Sequence, residues 1–92
     1  MFTNADAVAV TGRWIKATYR TVDGSYTTWA KVHDAYLMER TCPGRGLLGM
    51  RATLHYQHLE PQETWLGLDP ATDTYQLLDH PPEITPTGHV VS

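Results

Sequence analysis

The stretch RWIKATYRTVDGSYTTWAKVH, residues 13–33, decides the fold that we predict for this chain. Two runs of alternating apolar and polar residues flank Asp23-Gly24, a pair that favours a two-residue hairpin turn. Counting outward from a turn at these two residues places Ile15 opposite Val32. One face of the hairpin then carries the apolar residues, and we predict it as the core side: Ile15, Ala17, Tyr19, Tyr26, Ala30 and Val32.

The other face of this hairpin carries most of the candidate binding residues. It presents two tryptophans and three cations, and the same register places Lys16 opposite Lys31. Indole rings beside cations suit an acidic protein surface, and they equally suit the bases and phosphates of a nucleic acid. In the alternative interpretation both indole rings lie under another segment and lysine stems cover them. With two basic residues from outside the hairpin, the predicted binding residues are Trp14, Lys16, Arg20, Trp29, Lys31, Arg45 and Arg51.

The later segments are predicted as strands by the same alternation, and turn-forming residues separate them. In the longest of them, Leu48 and Leu54 point to one side while Arg51 and His55 point to the other. The predicted strands are residues 35–41, 47–59, 64–68 and 74–78, the last two joined as a hairpin by residues 69–73.

Consecutive strands with short connections indicate an all-β domain. We expect a small antiparallel meander of five or six strands that forms a barrel or a strongly curved sheet. The alternative is an α+β fold with a helix within residues 28–41, where apolar residues also recur at helical spacing. The β domain is predicted to span residues 13–79, after an N-terminal arm of residues 1–12. Residues 80–92 are predicted as an extended, proline-rich C-terminal tail, because proline is excluded from central strands.

Length, cysteine content and charge narrow the class of protein. A chain of 92 residues forms about one domain with a thin core. It has no apolar run long enough for a membrane helix, no pattern of a secretory signal and only Cys42, so we expect a cytoplasmic protein. All seven basic residues lie in the first 51 positions, whereas residues 52–92 hold six acids. This uneven charge favours a polar binding surface.

Catalytic and metal-binding patterns are weak in this sequence. Cys42 with His33 as its base would make a nucleophile, and residues 42–46 would make an anion-binding loop, but neither pattern is specific. The five histidines lack the spacing of metal sites. We therefore predict no cofactor, no metal and no enzymatic activity.

The sequence favours a small protein-binding module, a regulator or inhibitor from a mobile element, whose partner has an acidic surface. The first alternative is a small nucleic-acid-binding β-barrel, which the acidic C-terminal part disfavours because attraction to phosphates dominates such binding. The second alternative is a small-ligand-binding barrel or an enzyme, which the missing motifs disfavour. The oligomeric state does not follow from the sequence.

Overall fold

The computed structural model describes residues 2–39 and 46–91. Within these ranges the chain forms one helix and five strands, and no helix there is long and apolar enough to cross a membrane. The elements are α1 (Asn4–Val10), β1 (Trp14–Thr21), β2 (Gly24–Glu39), β3 (Gly46–His55), β4 (Gln62–Leu68) and β5 (Asp73–Leu77). The strands pair antiparallel in one sheet of order β4-β3-β2-β1-β5, which is not closed into a barrel. The predicted all-β class with five or six strands is confirmed, and the alternative helix within residues 28–41 is wrong because β2 covers that segment through Glu39.

The connection between β4 and β5 requires the sheet to be strongly curved. These strands lie on opposite edges, about 19 Å apart if the sheet were flat. The chain from Leu68 to Asp73 spans at most about 18 Å when fully extended, and it is not extended, since the Asp73 N–H donates to the Asp69 carbonyl at 2.8 Å. The two edges must therefore curl toward each other. The predicted pairing of these two strands is wrong: β4 pairs with β3, and β5 pairs with β1.

The β1–β2 hairpin forms around a different turn from the predicted one. Thr21 pairs with Gly24, so Val22 and Asp23 are the turn residues. The Thr21 hydroxyl donates to the Gly24 carbonyl at 3.1 Å and accepts from the Asp23 N–H at 3.3 Å. These bonds hold the turn one residue earlier than the Asp-Gly pair predicts.

Moving the turn by one residue shifts the whole register of the hairpin by two. Lys16 therefore lies opposite Trp29, and the predicted pairing of Lys16 with Lys31 is wrong. Because side chains alternate with a period of two, a shift of two leaves every residue on its predicted face. Ile15 and Val32 are accordingly both fully buried, although they are not directly opposite each other.

Gly24→Ala is expected to lower the free energy of unfolding by about 1–3 kcal/mol, the usual cost of a side chain in a sparsely populated backbone region. The φ angle of Gly24 is 133°, and a Cβ atom there would meet nothing within 4 Å, so the loss would report backbone strain alone. Gly67→Ala is the matched control, because a Cβ atom there also meets open space and its φ is ordinary. Equal melting temperatures for the two variants would contradict the turn assignment.

Strand β2 is a single strand of 16 residues where the sequence predicted two elements. Its register against β3 shifts between Val32 and Asp34, so His33 is the extra residue of a β-bulge. A bulge bends its strand and increases the local twist, which helps the sheet to curl. Beyond the bulge the inward positions are Ala35 and Leu37, which pair with buried residues of β3.

The core lies on the inner face of the sheet, where α1 packs across β2 and β3. Helix α1 lies within the segment predicted as an N-terminal arm, and it buries Ala7 and Val10. The predicted inward residues of the hairpin are buried except Tyr19, which is half-buried, and Tyr26, which is exposed. The core cluster comprises Ala7, Val10, Ile15, Ala17, Ala30, Val32, Leu48, Met50, Ala52, Leu54, Leu66 and Leu68.

A carboxylate joins α1 to the edge strand β5. Asp6 accepts hydrogen bonds from the Thr3 N–H at 2.7 Å and from the Tyr75 hydroxyl at 2.5 Å. The bond from Tyr75, followed by the bond from Thr3, holds the pKa of Asp6 below its usual value. Burial, together with this same bond, raises the pKa of Tyr75 to about 12. The pair therefore stabilises the docked helix when Asp6 is ionised.

Tyr75→Phe is expected to flatten the acid dependence of stability. The pKa of Asp6 in the folded chain lies below the usual value for an aspartate side chain. The stabilisation of the fold by ionised Asp6 is therefore complete at neutral pH, and it is lost as the pH falls from about 5 through the folded-state pKa. Urea unfolding at several pH values between neutral and acid checks this. Tyr26→Phe is the control, because Tyr26 is not bonded to Asp6, and identical pH profiles for the two variants would contradict the assignment.

Residues 83–91 fold back as a small hairpin, not as the extended tail that the prolines predict. The Val91 N–H donates to the Glu83 carbonyl at 2.8 Å. The Val90 N–H donates to the Tyr56 carbonyl at 3.4 Å, which attaches this segment just beyond β3. Val90 is only 5% exposed, so the segment contributes a buried side chain to the fold.

Candidate binding face

The candidate binding residues lie on the outer face of the sheet, the side opposite the core. Six of the seven predicted residues are on this face, and Arg45 lies outside the described residues. Although the chain has a net charge of -3, the described part of the outer face carries four cations and two carboxylates. The charged and aromatic members of the outer face are Trp14, Lys16, Arg20, Trp29, Lys31, His33, Asp34, Tyr36, Arg51, His55, Glu63 and Trp65.

Both predicted tryptophans are half-buried, so neither of the two sequence interpretations describes them fully. The ring centroid of Trp14 lies 4.9 Å from that of His55. His55 in turn donates from Nδ1 to the Gly88 carbonyl at 2.9 Å, which brings the C-terminal hairpin beside Trp14. The ammonium of Lys16 lies 5.9 Å from the ring centroid of Trp29, a cation–π arrangement. Trp29 thus keeps a partly open ring with a cation held beside it.

Arg51 is engaged within the protein by two carboxylates. Its guanidinium lies 2.9 Å from Asp34 and 2.8 Å from Glu63, on the strands to either side. Hydrogen bonds from Arg51 to Asp34, and then to Glu63, raise the pKa of the guanidinium. Exposed pairs of this kind contribute little stability, but they fix the three side chains in place. Arg51 therefore positions its neighbours on the outer face and adds little charge that a partner could reach.

The remaining predicted cations differ in how much of their charge a partner could reach. Lys31 donates from Nζ to the Gly12 carbonyl at 2.8 Å, so it is held against the loop before β1. Arg20 is exposed, and its side chain has no hydrogen bond or ion pair among the described residues. Lys16 and Arg20 are therefore the cations of the hairpin best placed to meet an external acid.

Sequence reasoning missed an aromatic pair at the other side of the outer face. The rings of Tyr36 and Trp65 meet edge to face with centroids 5.8 Å apart, and they are 43% and 63% exposed. Gly49 makes room for Tyr36, since a Cβ atom there would lie 3.0 Å from the Tyr36 ring. The signal was present in the alternation of residues 64–68, because inward Leu66 requires Trp65 to point outward.

An exposed apolar strip continues from this aromatic pair to α1. Val8 is exposed on the helix, and together with Tyr36 it lines a groove of about 410 Å³. Tyr36 contacts Trp65 and lines the same groove as Val8, and we call these three residues the apolar strip. Contiguous exposed apolar surface is what marks interaction sites on small soluble domains.

The alternative chemistry predicted for His33 and Cys42 has no described geometry, because Cys42 and residues 43–45 lie outside the described residues. The Nε2 atom of His33 lies 2.8 Å from the Thr53 hydroxyl on the outer face. In residues 2–39 and 46–91, no group of three or more His, Cys, Asp or Glu side chains is placed to hold a metal ion.

No protein-family model, curated protein or solved structure matches this chain. The outer face combines an exposed aromatic pair, a partly open indole ring and an excess of positive charge. These groups suit non-covalent association with another molecule.

Proposed function

We propose that this domain is a non-enzymatic protein-binding module whose outer face binds a partner protein with an acidic surface. The observation that carries the proposal is the edge-to-face pair of Tyr36 and Trp65, both of which are exposed to solvent. Tyrosine and tryptophan dominate the binding energy of many interfaces once a partner desolvates them. The apolar strip would form the anchor of the interface.

The charge on the outer face supports an acidic partner. Both of its carboxylates are held by Arg51, which leaves the charges of Lys16 and Arg20 uncompensated. Lys16 lies three strand positions from Trp65, so on the curved sheet a partner has to reach around the outer face to meet both regions. The cations would mainly speed association with an acidic partner, while the aromatic pair would slow dissociation.

A protein partner is favoured over a nucleic acid by the surroundings of the apolar strip. Arg51 lies opposite Trp65, and it holds Asp34 and Glu63 near that ring on the same face. A nucleic acid carries phosphates along its whole length and would bring them against these carboxylates, whereas a protein can place an apolar patch on Trp65 and its acids at Lys16 and Arg20. A module of this kind acts by occupying a partner's surface, as a regulator or an inhibitor does. Its lone cysteine suits a reducing cytoplasm.

Trp65→Ala is expected to weaken partner binding by about thirtyfold, because losing a desolvated aromatic anchor costs roughly 2 kcal/mol. The measurement is affinity capture of the partner from lysate with the full chain, followed by binding kinetics with the captured protein. Lys16→Glu combined with Arg20→Glu should instead lower the association rate and leave the dissociation rate nearly unchanged. Circular dichroism confirms that each variant is folded.

Leu59→Ala is the matched control, because Leu59 is an exposed apolar residue in the loop after β3. It should bind like the unaltered chain. Two results would refute the proposal: equal weakening by Leu59→Ala and Trp65→Ala, or captured material that is nucleic acid and dissociates as salt rises from 50 to 200 mM, the behaviour of phosphate-driven binding.

A further inference from the structure

Strand β4 leaves one side of its backbone open at the edge of the sheet. It pairs only with β3, and no other described segment forms a backbone hydrogen bond with residues 62–68. An edge strand presents a row of N–H and C=O groups that can pair with a strand of another chain. β4 has seven residues, whereas β5 at the other edge has five, and the Asp73 N–H at its start is already bonded to the Asp69 carbonyl. β4 is therefore the edge better suited to pairing.

The usual protections of an exposed edge strand are missing from β4. Natural edge strands commonly carry lysine, proline or a β-bulge, or another segment covers them. The sequence of β4 is QETWLGL, without lysine, arginine or proline, and its register with β3 is regular over all seven residues. Its one charged residue, Glu63, is already paired with Arg51. The edge therefore keeps the form that pairs with another strand.

The sequence of β4 is complementary to itself in an antiparallel arrangement. Trp65 is the central residue of Gln62–Leu68, so a two-fold axis at Trp65 pairs all seven residues with those of a second copy. In this register Trp65 lies opposite Trp65 of the second copy. Glu63 lies opposite Gly67, which has no side chain, so like charges do not meet across the pair. A second copy of this chain is therefore a suitable partner for the edge.

The indole ring of Trp65 is available for contact across this edge. Tyr36 meets the ring edge to face, with centroids 5.8 Å apart. Because Tyr36 belongs to β2, it reaches the ring from the interior of the sheet and leaves the surface toward the edge open. Trp65 keeps 63% of its surface exposed. Aromatic residues directly opposite each other in an antiparallel pair stabilise the pairing of their strands.

We propose that two copies of this chain form a dimer by pairing their β4 strands antiparallel about Trp65. The two sheets join into one continuous sheet of ten strands, with both outer faces on the same side. The pairing occupies the β4 edge of each copy, so the assembly closes at two chains. The dimer presents the apolar strip twice on one surface. It does not depend on the acidic partner proposed for the outer face, because it uses the backbone edge of β4.

Sedimentation equilibrium of the full chain measures the dimer, and two variants of Gly67 test its register. We expect the mean mass to rise from that of one chain to that of two as the concentration increases. Gly67→Glu places a carboxylate opposite Glu63 on both sides of the axis, so it should weaken the dimer by about twofold to thirtyfold, the range for two cross-strand charge pairs. Gly67→Lys is the matched control, because it places the opposite charge there and should tighten the dimer. A Cβ atom at Gly67 meets nothing within 4 Å, so both variants should fold.

A single disulfide tests the position of the axis. In a chain carrying Cys42→Ser, Trp65→Cys should form a covalent dimer on mild oxidation. Directly opposite Cα atoms lie about 4.5–5.5 Å apart, within the range that a disulfide bridges. Glu63→Cys in the same background is the control, because the Cα atoms of the two copies of residue 63 would lie about 14 Å apart. It should give no covalent dimer on a non-reducing gel.

Four results would overturn the dimer. The full chain could remain a monomer at a concentration of several hundred micromolar, or it could form assemblies larger than two chains. The two Gly67 variants could shift the dimer equally, or Glu63→Cys could cross-link as readily as Trp65→Cys. A chain that stays a monomer and still binds an acidic protein through Trp65 would overturn the dimer alone, so the two proposals fail separately.

Discussion

Leu48→Ala is expected to lower the free energy of unfolding by about 2–5 kcal/mol. Leu48 is fully buried on β3 and lies between Leu37 of β2 and Leu68 of β4. Because β3 has a paired strand on each side, its backbone cannot move in to fill the space that the lost methyl groups leave. Urea unfolding measures this loss directly when the slope of the unfolding free energy against urea concentration is unchanged.

Leu59→Ala is the control for this substitution, since it removes the same atoms from an exposed position. Its effect should stay within about 0.5 kcal/mol, as for most surface substitutions. A similar loss in both variants would mean that the inner face of β3 is not the core.

A chain that ends at Pro82 is expected to lose roughly 1.5–3 kcal/mol of stability, the range for full burial of an aliphatic side chain such as valine. The truncation removes Val90 from its buried position and breaks its bond to the Tyr56 carbonyl. It also frees Pro61, which packs so closely on Gly88 that a Cβ atom there would lie 2.5 Å from the proline ring. Thermal unfolding of the two chains checks the effect.

Two neighbouring valines provide a finer test of the same hairpin. Val90 is buried and Val91 is exposed, so Val90→Ala should lower the melting temperature while Val91→Ala leaves it nearly unchanged. If both alanine variants and the shortened chain melt with the unaltered protein, the C-terminal hairpin does not pack on the sheet.

The alternation of side chains predicted the two faces of the sheet even where the turn was wrong. The Asp-Gly pair is a strong local signal, but the Thr21 hydroxyl competes for the same turn and moves it by one residue. An even shift of register keeps each side chain on its face, so Ile15 and Ala30 remain buried while Trp14 and Trp29 remain on the outer side. Faces follow from the local pattern, whereas exact pairings depend on single hydrogen bonds.

The order of the strands in the sheet could not be predicted from the sequence, for a different reason. A short link between β4 and β5 predicts a hairpin, because neighbouring strands usually pair. Here the curvature of the whole sheet decides which strands pair, and the bulge at His33 contributes to that curvature. The residues between Leu68 and Asp73 contain no sequence signal of that curvature. The extra length of β2 was hidden in the same way, since its bulge interrupts the alternation.

The candidate site was predicted as a face but not as a set of contacts. The polar partners of Lys31 and Arg51 come from distant parts of the sequence: Gly12, Asp34 and Glu63. Alternation cannot show that these cations are engaged within the chain. Trp65, in contrast, could have been assigned to the face from the alternation of its own strand.

Pairing of β5 with β1 also sets the order in which the chain can assemble during synthesis. Ile15 pairs with Leu77 across most of the domain, whereas Thr21 pairs with Gly24 across a single turn. Closing the longer loop costs more entropy, so the local hairpin forms first and the last strand arrives late. Until residues 73–77 leave the ribosome, β1 presents an unpaired edge, and such edges recruit strands from other chains. Addition of β5 replaces this edge of eight residues with one of five residues, and short edge strands recruit other chains less readily.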